Sequence, residues 1–136
     1  CMAKKDFPFA VNTENPIAVY VQIENLAKFA IASGRFQPGD TLPSVREMSE
    51  GLNINPNTVT KAYRDLELLG LVRPRRGVGV MVTEAAPGLC AKEAGHMVSQ
   101  RVRDAVGECL AAGLSDKEIR RMVSDALAAK VLPYQA

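Results

Sequence analysis

SVREMSEGLNINPNTVTKAYRDLELL, running from Ser44 to Leu69, punctuates itself into two short helices and a tight turn. Ser44 followed three residues later by Glu47 is a capping box, so a helix is expected to start at Val45. Gly51 is read as its stop, with Leu52 and Ile54 anchoring the turn. Asn55 suits an N-cap and Pro56 a first helical position, which predicts a second helix from Pro56 to about Leu69. Gly70 is placed to close it in a left-handed conformation. Val59, Ala62, Tyr63, Leu66 and Leu69 then share one apolar face. Asn55, Asn57, Thr58, Thr60, Lys61 and Arg64 hold donors, acceptors and positive charge on the other. A helix of this kind, braced by a partner across a short turn, fits the major groove of B-DNA. The motif is a helix-turn-helix.

Upstream, Cys1 to Glu14 has no period and reads as a loose arm, with Phe7 and Phe9 available to dock on a neighbouring surface. Asn15-Pro16 is expected to open a first helix that Gly34 stops. Val19, Tyr20, Ile23, Leu26, Ala27, Ala30 and Ile31 give it a broad apolar face. Gln37-Pro38-Gly39-Asp40 is a turn by composition, and Thr41-Leu42-Pro43 an extended link.

Downstream, the periodicity changes from helical to alternating. Leu71-Val72-Arg73 and Val80-Met81-Val82 are β-prone runs on either side of PRRGVG. A hairpin carrying Arg75 and Arg76 near its tip, directly after such a helix, is the wing of a winged helix. Gly77 and Gly79 would let its backbone approach a phosphate or the minor groove.

The stretch 84–88 reads as a linker, and 89–136 as a separate helical unit. One helix is expected from Leu89 or Cys90 to Ala112, with Val98, Val102, Ala105, Val106, Cys109 and Leu110 along its stripe. Ser115 and Glu118 form a second capping box, and Leu114 with Ile119 is spaced as a hydrophobic staple. The helix they open carries Ile119, Met122, Val123, Ala126 and Leu127 on one side. Two amphipathic helices cannot bury both stripes on each other alone, so pairing with a second copy is expected, the alternative being that they pack back on the winged helix of the same chain. The fold class is therefore α+β: a winged helix-turn-helix over 15–83, preceded by an arm over 1–14 and followed by a dimerisation unit.

Composition narrows the function. Net charge is only +2 over 136 residues, so affinity for nucleic acid has to come from local placement of Lys and Arg. An aromatic share of 5% without Trp argues against a stacking surface. No apolar run approaches the roughly 20 residues that span a bilayer, and nothing resembles a signal peptide, which points to the cytoplasm. Cys1, Cys90 and Cys109 lack disulfide-framework or zinc-finger spacing, and Cys1, ahead of Met2, reads as a cloning remnant.

Residues Pro16 to Val82 resemble the N-terminal domain of the GntR family of bacterial transcription regulators. The pattern ASGRFQPGDTLPSVREMSEGLNINPNTVTKAYRDLELLGLVRPRRGVGVMV appears without an insertion. The two-helix tail and NPNTVTKAY are similar to the YtrA subfamily. The resemblance implies a tail that dimerises the chain without a sizeable effector pocket, and control of a neighbouring, in some members transporter, operon. It implies DNA contact for Arg46 of LPSVRE, for Asn55, Asn57 and Thr58 at the start of the second helix, and for Arg76 and Gly77 at the wing tip. Ser44, Thr60, Lys61, Arg64 and Arg75 complete the expected DNA-binding set. Pro56 and Thr60 stand where many members of other subfamilies carry Arg, and Lys61 and Arg64 are placed to supply the missing charge.

Three other readings compete with this one. An aminotransferase-like fusion needs several hundred residues where about fifty follow the wing, and a lone His96 supports no His-based triad. No enzyme activity or cofactor is expected. A metal- or redox-sensing site from Cys90, His96 and Cys109 would have to be shared across a dimer, since along one helix they lie two or more turns apart. A winged helix that binds protein rather than DNA is the third reading, opposed by Arg73, Arg75 and Arg76.

Overall fold

The computed structural model describes residues 8–135. In chain order it contains α1 (Val19–Ala32), α2 (Val45–Leu52), α3 (Pro56–Leu68), β1 (Val72–Arg75), β2 (Gly79–Val82), α4 (Ala86–Ala111) and α5 (Asp116–Ala129). Three helices and a β-hairpin make the winged helix-turn-helix, and two further helices make the tail.

Local chemistry sets most of these boundaries. The Ser44 hydroxyl accepts from Glu47 N at 3.0 Å while the Glu47 carboxylate accepts from Ser44 N at 3.1 Å, so α2 starts where the capping box places it. The bond from Ser44 N, and after it the Ser44 hydroxyl, hold the Glu47 carboxyl below its ordinary range. Asn55 accepts from Asn57 N at 2.8 Å, and Pro56 occupies the first turn of α3. Ser115 and Glu118 repeat the box at α5.

Four expectations need correction. Asn15 does not cap α1: its side chain accepts from Ile17 N in a local turn, and the helix begins three residues beyond Pro16. The fully buried Gln22 explains the delay, because its amide bonds Asn12 N, Asn12 O and Ile17 O, fixing the preceding chain in a non-helical path. Gly51 does not stop α2, which runs on through Leu52 until Asn53 turns left-handed at φ 54°. The described part of the arm is not loose: Phe9 is buried and stacks on Phe36 with ring centroids 5.8 Å apart. Phe7 lies outside the described residues.

The fourth correction concerns 84–88, which does not separate two units. α4 starts at Ala86 with Pro87 in its first turn, and Ala86 and Cys90 are buried in the winged-helix core. Lys28 Nζ of α1 pairs with Glu93 of α4 at 2.9 Å. The first turns of α4 thus belong to the winged-helix unit. No helix of the described residues is long and apolar enough to cross a membrane.

The core joins Ile23, Ala27 and Ile31 of α1 to Met48, Val59, Ala62, Tyr63 and Leu66 of the helix-turn-helix and Val72 and Val82 of the wing. Tyr63 donates its hydroxyl to Pro43 O, and burial pushes that phenol above its usual range. Fully burying a side chain such as Leu66 contributes roughly 1.5–3 kcal/mol. The hairpin pairs Val72 with Val82 and Arg75 with Gly79. Its inner strand is tied on the other edge to the link before α2, where Leu42 N donates to Val80 O and Val82 N to Asp40 O, both at 2.9 Å. β1 is left as the outer strand, which is where Pro74 can be tolerated.

Where α3 crosses α1, two carboxyl groups meet. Burial first, and then a hydrogen bond with Asp65, raise the Glu24 carboxyl to about 7, while Asp65 is held low, chiefly by that same bond. The folded chain therefore holds a proton on Glu24 that the unfolded chain releases near pH 4.5. Stability from this contact is full below pH 4.5 and declines as the pH rises toward 7. Glu24→Gln keeps the hydrogen bond without the titration. Its melting temperature relative to the parent should rise by on the order of a few degrees between about pH 5 and pH 8. Parallel melting curves over that range would show that the two carboxyls do not share a proton.

Candidate nucleic-acid interface

Burial on one side of α3 leaves the other side free. Val59, Ala62, Tyr63 and Leu66 are buried, whereas Asn57, Thr60, Lys61, Arg64, Glu67 and Leu68 are exposed at three- and four-residue spacing. The exposed stripe is polar through its first two turns and ends on Glu67 and Leu68, the latter 79% exposed. Asn55 is exposed at the N-cap, and Thr58 is only half-buried at the edge of the stripe. The helix thus presents Asn57, Thr60 and Arg64 outward as a set.

The remaining expected contact residues have more particular settings. Thr60 donates its hydroxyl back to Pro56 O at 3.1 Å, so it offers lone pairs outward rather than a donor. The Ser44 hydroxyl is engaged by the α2 cap, accepting from Glu47 N and interacting with the Glu47 carboxylate. Arg46 is almost wholly in solvent, its Nε 3.1 Å from Glu50 one turn along α2. Lys61 is drawn toward α1: its ammonium lies 4.7 Å from the centre of the Tyr20 ring and 3.5 Å from Asp65. Arg64, which forms no ion pair among the described residues, is the cation of α3 with the freest reach.

The wing tip consists of Arg76, Gly77 and Val78, exposed between the two strands. Gly77 sits at φ 77° with open space where a side chain would begin, so the turn conformation requires glycine, not crowding. Gly79 differs. At φ 121° its α-carbon backs onto Thr41, and a β-carbon would lie 3.2 Å from the threonine methyl. Arg75 falls in β1 rather than in the turn, and its guanidinium reaches Met81 Sδ at 3.9 Å. Strand alternation places Arg73 on the same outer face as Arg75, with Val72 buried on the other. Arg73 thus joins the basic surface. Period-two alternation through Val72-Arg73-Pro74-Arg75 is the signal in the sequence that places it there.

The Cys90, His96 and Cys109 trio is not brought together. Cys90 is buried between α1 and α4 and its thiol pushed up by burial, His96 is exposed, and Cys109 lies half-buried further along α4. A cysteine closed inside the core is withdrawn from any site shared with another chain. Among the described residues no group of three His, Cys, Asp or Glu side chains could hold a metal ion.

Comparison with known proteins agrees with this geometry. Residues 19–82 match the family described as "Bacterial regulatory proteins, gntR family". The chain is 41% identical over 68 residues to the uncharacterised regulator YhcF of Bacillus subtilis, a match spanning 50% of this chain and 56% of that protein. It is 29% identical over 115 residues to the transcriptional repressor YtrA of the same organism, spanning 85% of this chain and 88% of YtrA. A solved structure of a GntR family transcriptional regulator from Listeria monocytogenes superposes with a TM-score of 0.63 at 26% identity, covering 82% of this chain and 97% of the other. The likeness to YtrA and to the Listeria structure extends past the wing into the helical tail. Residues 19–82, which carry the outward set on α3 and the arginine wing, are therefore a helix-turn-helix domain of the GntR family.

Proposed function

We propose that the chain is a homodimeric, YtrA-like repressor that reads a two-fold symmetric operator. Each α3 enters a major groove and each wing lies against the adjoining minor groove. The observation that carries this reading is the outward triad Asn57, Thr60 and Arg64 on a helix whose opposite side is wholly buried, flanked by Arg46 and the wing arginines. Asn57 and Arg64 suit base-edge or phosphate recognition by hydrogen bonds, while Arg73, Arg75 and Arg76 suit phosphate. A mobility shift with DNA from beside the protein's own gene, repeated across salt concentrations, tests it. Phosphate-led binding weakens linearly on a log-log plot. Absence of any shift at low salt would favour the protein-binding reading.

The exposed apolar faces of the single chain support the proposed dimerisation. α5 buries none of its residues. Met122, Val123 and Leu127 are 52%, 50% and 73% exposed, and Val98 and Val102 of α4 are 42% and 56% exposed. Ile119, Val106 and Cys109 are half-buried and Ala126 is exposed on the same stripes. Continuous apolar faces of this kind mark an interaction surface. A second copy supplies the complementary face by symmetry.

Three outcomes follow. Arg46→Ala should weaken operator binding by about 1–3 kcal/mol, and Glu50→Gln, which frees the guanidinium, should tighten it a few-fold. Titrations with labelled operator would detect both, and unchanged affinities would reduce Arg46 to a solvated helix residue. Replacing Arg75 and Arg76 together by Ala should weaken specific and non-specific binding alike and flatten the salt dependence by up to about two ions. An unaltered slope would mean that the wing does not touch phosphate.

Val123→Asp places a charge on the stripe proposed to be buried between copies. A buried, unpaired carboxylate is costly enough that the dimer should separate instead. Sedimentation should then report a folded monomer. Its operator affinity should fall by about a hundredfold or more, because two linked half-sites are no longer engaged together. A variant that stays dimeric would move the interface away from α5.

A further inference from the structure

A cleft lies away from the DNA-reading face. One side of α1 forms its floor through Leu26, Phe29, Ala30 and Ser33, spaced three and four residues apart. Phe9 and Phe36, stacked on each other, close one end. The opposite wall is the segment after α5, where Leu132, Pro133 and Gln135 line the opening. The cleft's volume is about 440 Å³, within the roughly 300–1,000 Å³ usual for small-molecule sites.

That far wall is held in place by a specific contact. Asn25 on α1 is buried, and its amide donates to the Tyr134 hydroxyl at 2.8 Å. Tyr134 stands at φ 63° and Lys130, at the end of α5, at φ 51°, both left-handed conformations that side chains seldom adopt. The chain thus turns twice against its local preference to lay this strap across α1.

The lining is apolar and aromatic with one charge. Among the described residues around the cleft Arg35 is the single ionic group, and no carboxylate faces it. Its Nη1 reaches only Pro8 O, at 3.4 Å, and it forms no ion pair among the described residues. A guanidinium at the rim of an aromatic cleft recognises a carboxylate by a paired, charge-assisted contact while the apolar walls take the hydrocarbon body.

We propose that this cleft is a binding site for a small aromatic monocarboxylate, with its ring among Leu26, Phe29, Phe36 and Leu132 and its anionic group on Arg35. Because the cleft's two walls belong to the winged helix and to the segment leaving α5, the occupant ties the end of the tail to α1. It is independent of the DNA reading, since its test needs no DNA.

The test uses the full chain and 2-naphthoate as probe, followed by amide NMR. Saturable shifts are expected in 26–36 and 131–135. Arg35→Gln should weaken binding about tenfold or more, as should replacing the probe by 2-naphthamide on the parent protein. Ser33→Trp, which sets an indole into the cleft from an exposed position, should abolish it. Tyr134→Phe, which loosens the strap without touching the probe, should weaken it several-fold. No saturable shift at millimolar probe, or shifts confined to the exposed side of α5, overturns the site. Loss in Ser33→Trp with full affinity in Arg35→Gln and for the amide overturns the anionic ligand class.

Discussion

The packing of α3 across α1 is the contact on which the rest of the molecule depends. Ile23 and Ala27 on one helix and Val59, Ala62 and Leu66 on the other are removed from water almost completely. Apolar burial has no direction of its own, but a helix has only one side to bury. Once Leu66 and Val59 are inside, Asn57, Thr60 and Arg64 have no choice but to face out. The face proposed to read DNA is therefore set by the core beneath it. Truncating Leu66 would cost about 2–5 kcal/mol, a large share of the stability of a small domain.

The same contact positions the wing. Leu71 and Val72 follow α3 directly into the core, and Gly70, at φ 79°, reverses the chain between helix and strand. β2 is then fixed on both edges, by β1 and by the link at 39–42 that leads into α2. Link, hairpin and both helices of the helix-turn-helix are thereby joined into one unit. Preorganisation of this kind matters for recognition, since groups already in place lose less entropy when a partner arrives. The placement of Arg76 relative to Arg64 is thus a property of backbone hydrogen bonds at Leu42 and Val82, which involve neither arginine.

Much of this is legible in the residues because the signals are local. Capping boxes at Ser44 and Ser115, the Asn55-Pro56 start and the glycines after helices act within four residues, and a linear reading finds them. What escapes such a reading depends on contacts distant in sequence. Asn15-Pro16 looks like a helix start, and only the amide of Gln22 holding Asn12 and Ile17 makes it a turn. Pro87-Gly88 looks like a linker, but Ala86 and Cys90 fit a gap left by α1, and that burial carries the helix back through the proline. Proline in a first turn removes no hydrogen bond that the helix needs. Lys61 looks like a DNA-facing cation, and the Tyr20 ring of α1, together with Asp65 one turn along α3, turns it aside.

Charge is placed on this chain so that it can be given up. Three of the four ion pairs among the described residues, Arg46–Glu50, Lys61–Asp65 and Arg120–Asp116, join neighbours one turn apart on a single helix. Pairs of this type contribute only about 0.3–0.5 kcal/mol where they are solvated. Arg46 and Glu50 are 86% and 65% exposed, so a phosphate oxygen can replace the carboxylate at little loss. The fourth pair, Lys28–Glu93, has its lysine largely covered and bridges α1 to α4. Breaking it would leave a partly desolvated cation between two helices, which makes it a structural tie. A net charge of +2 is thus compatible with tight DNA binding. Glu50, which balances Arg46, sits beside it on the helix surface, where a competing anion can displace it, while the one shielded pair holds α4 to α1.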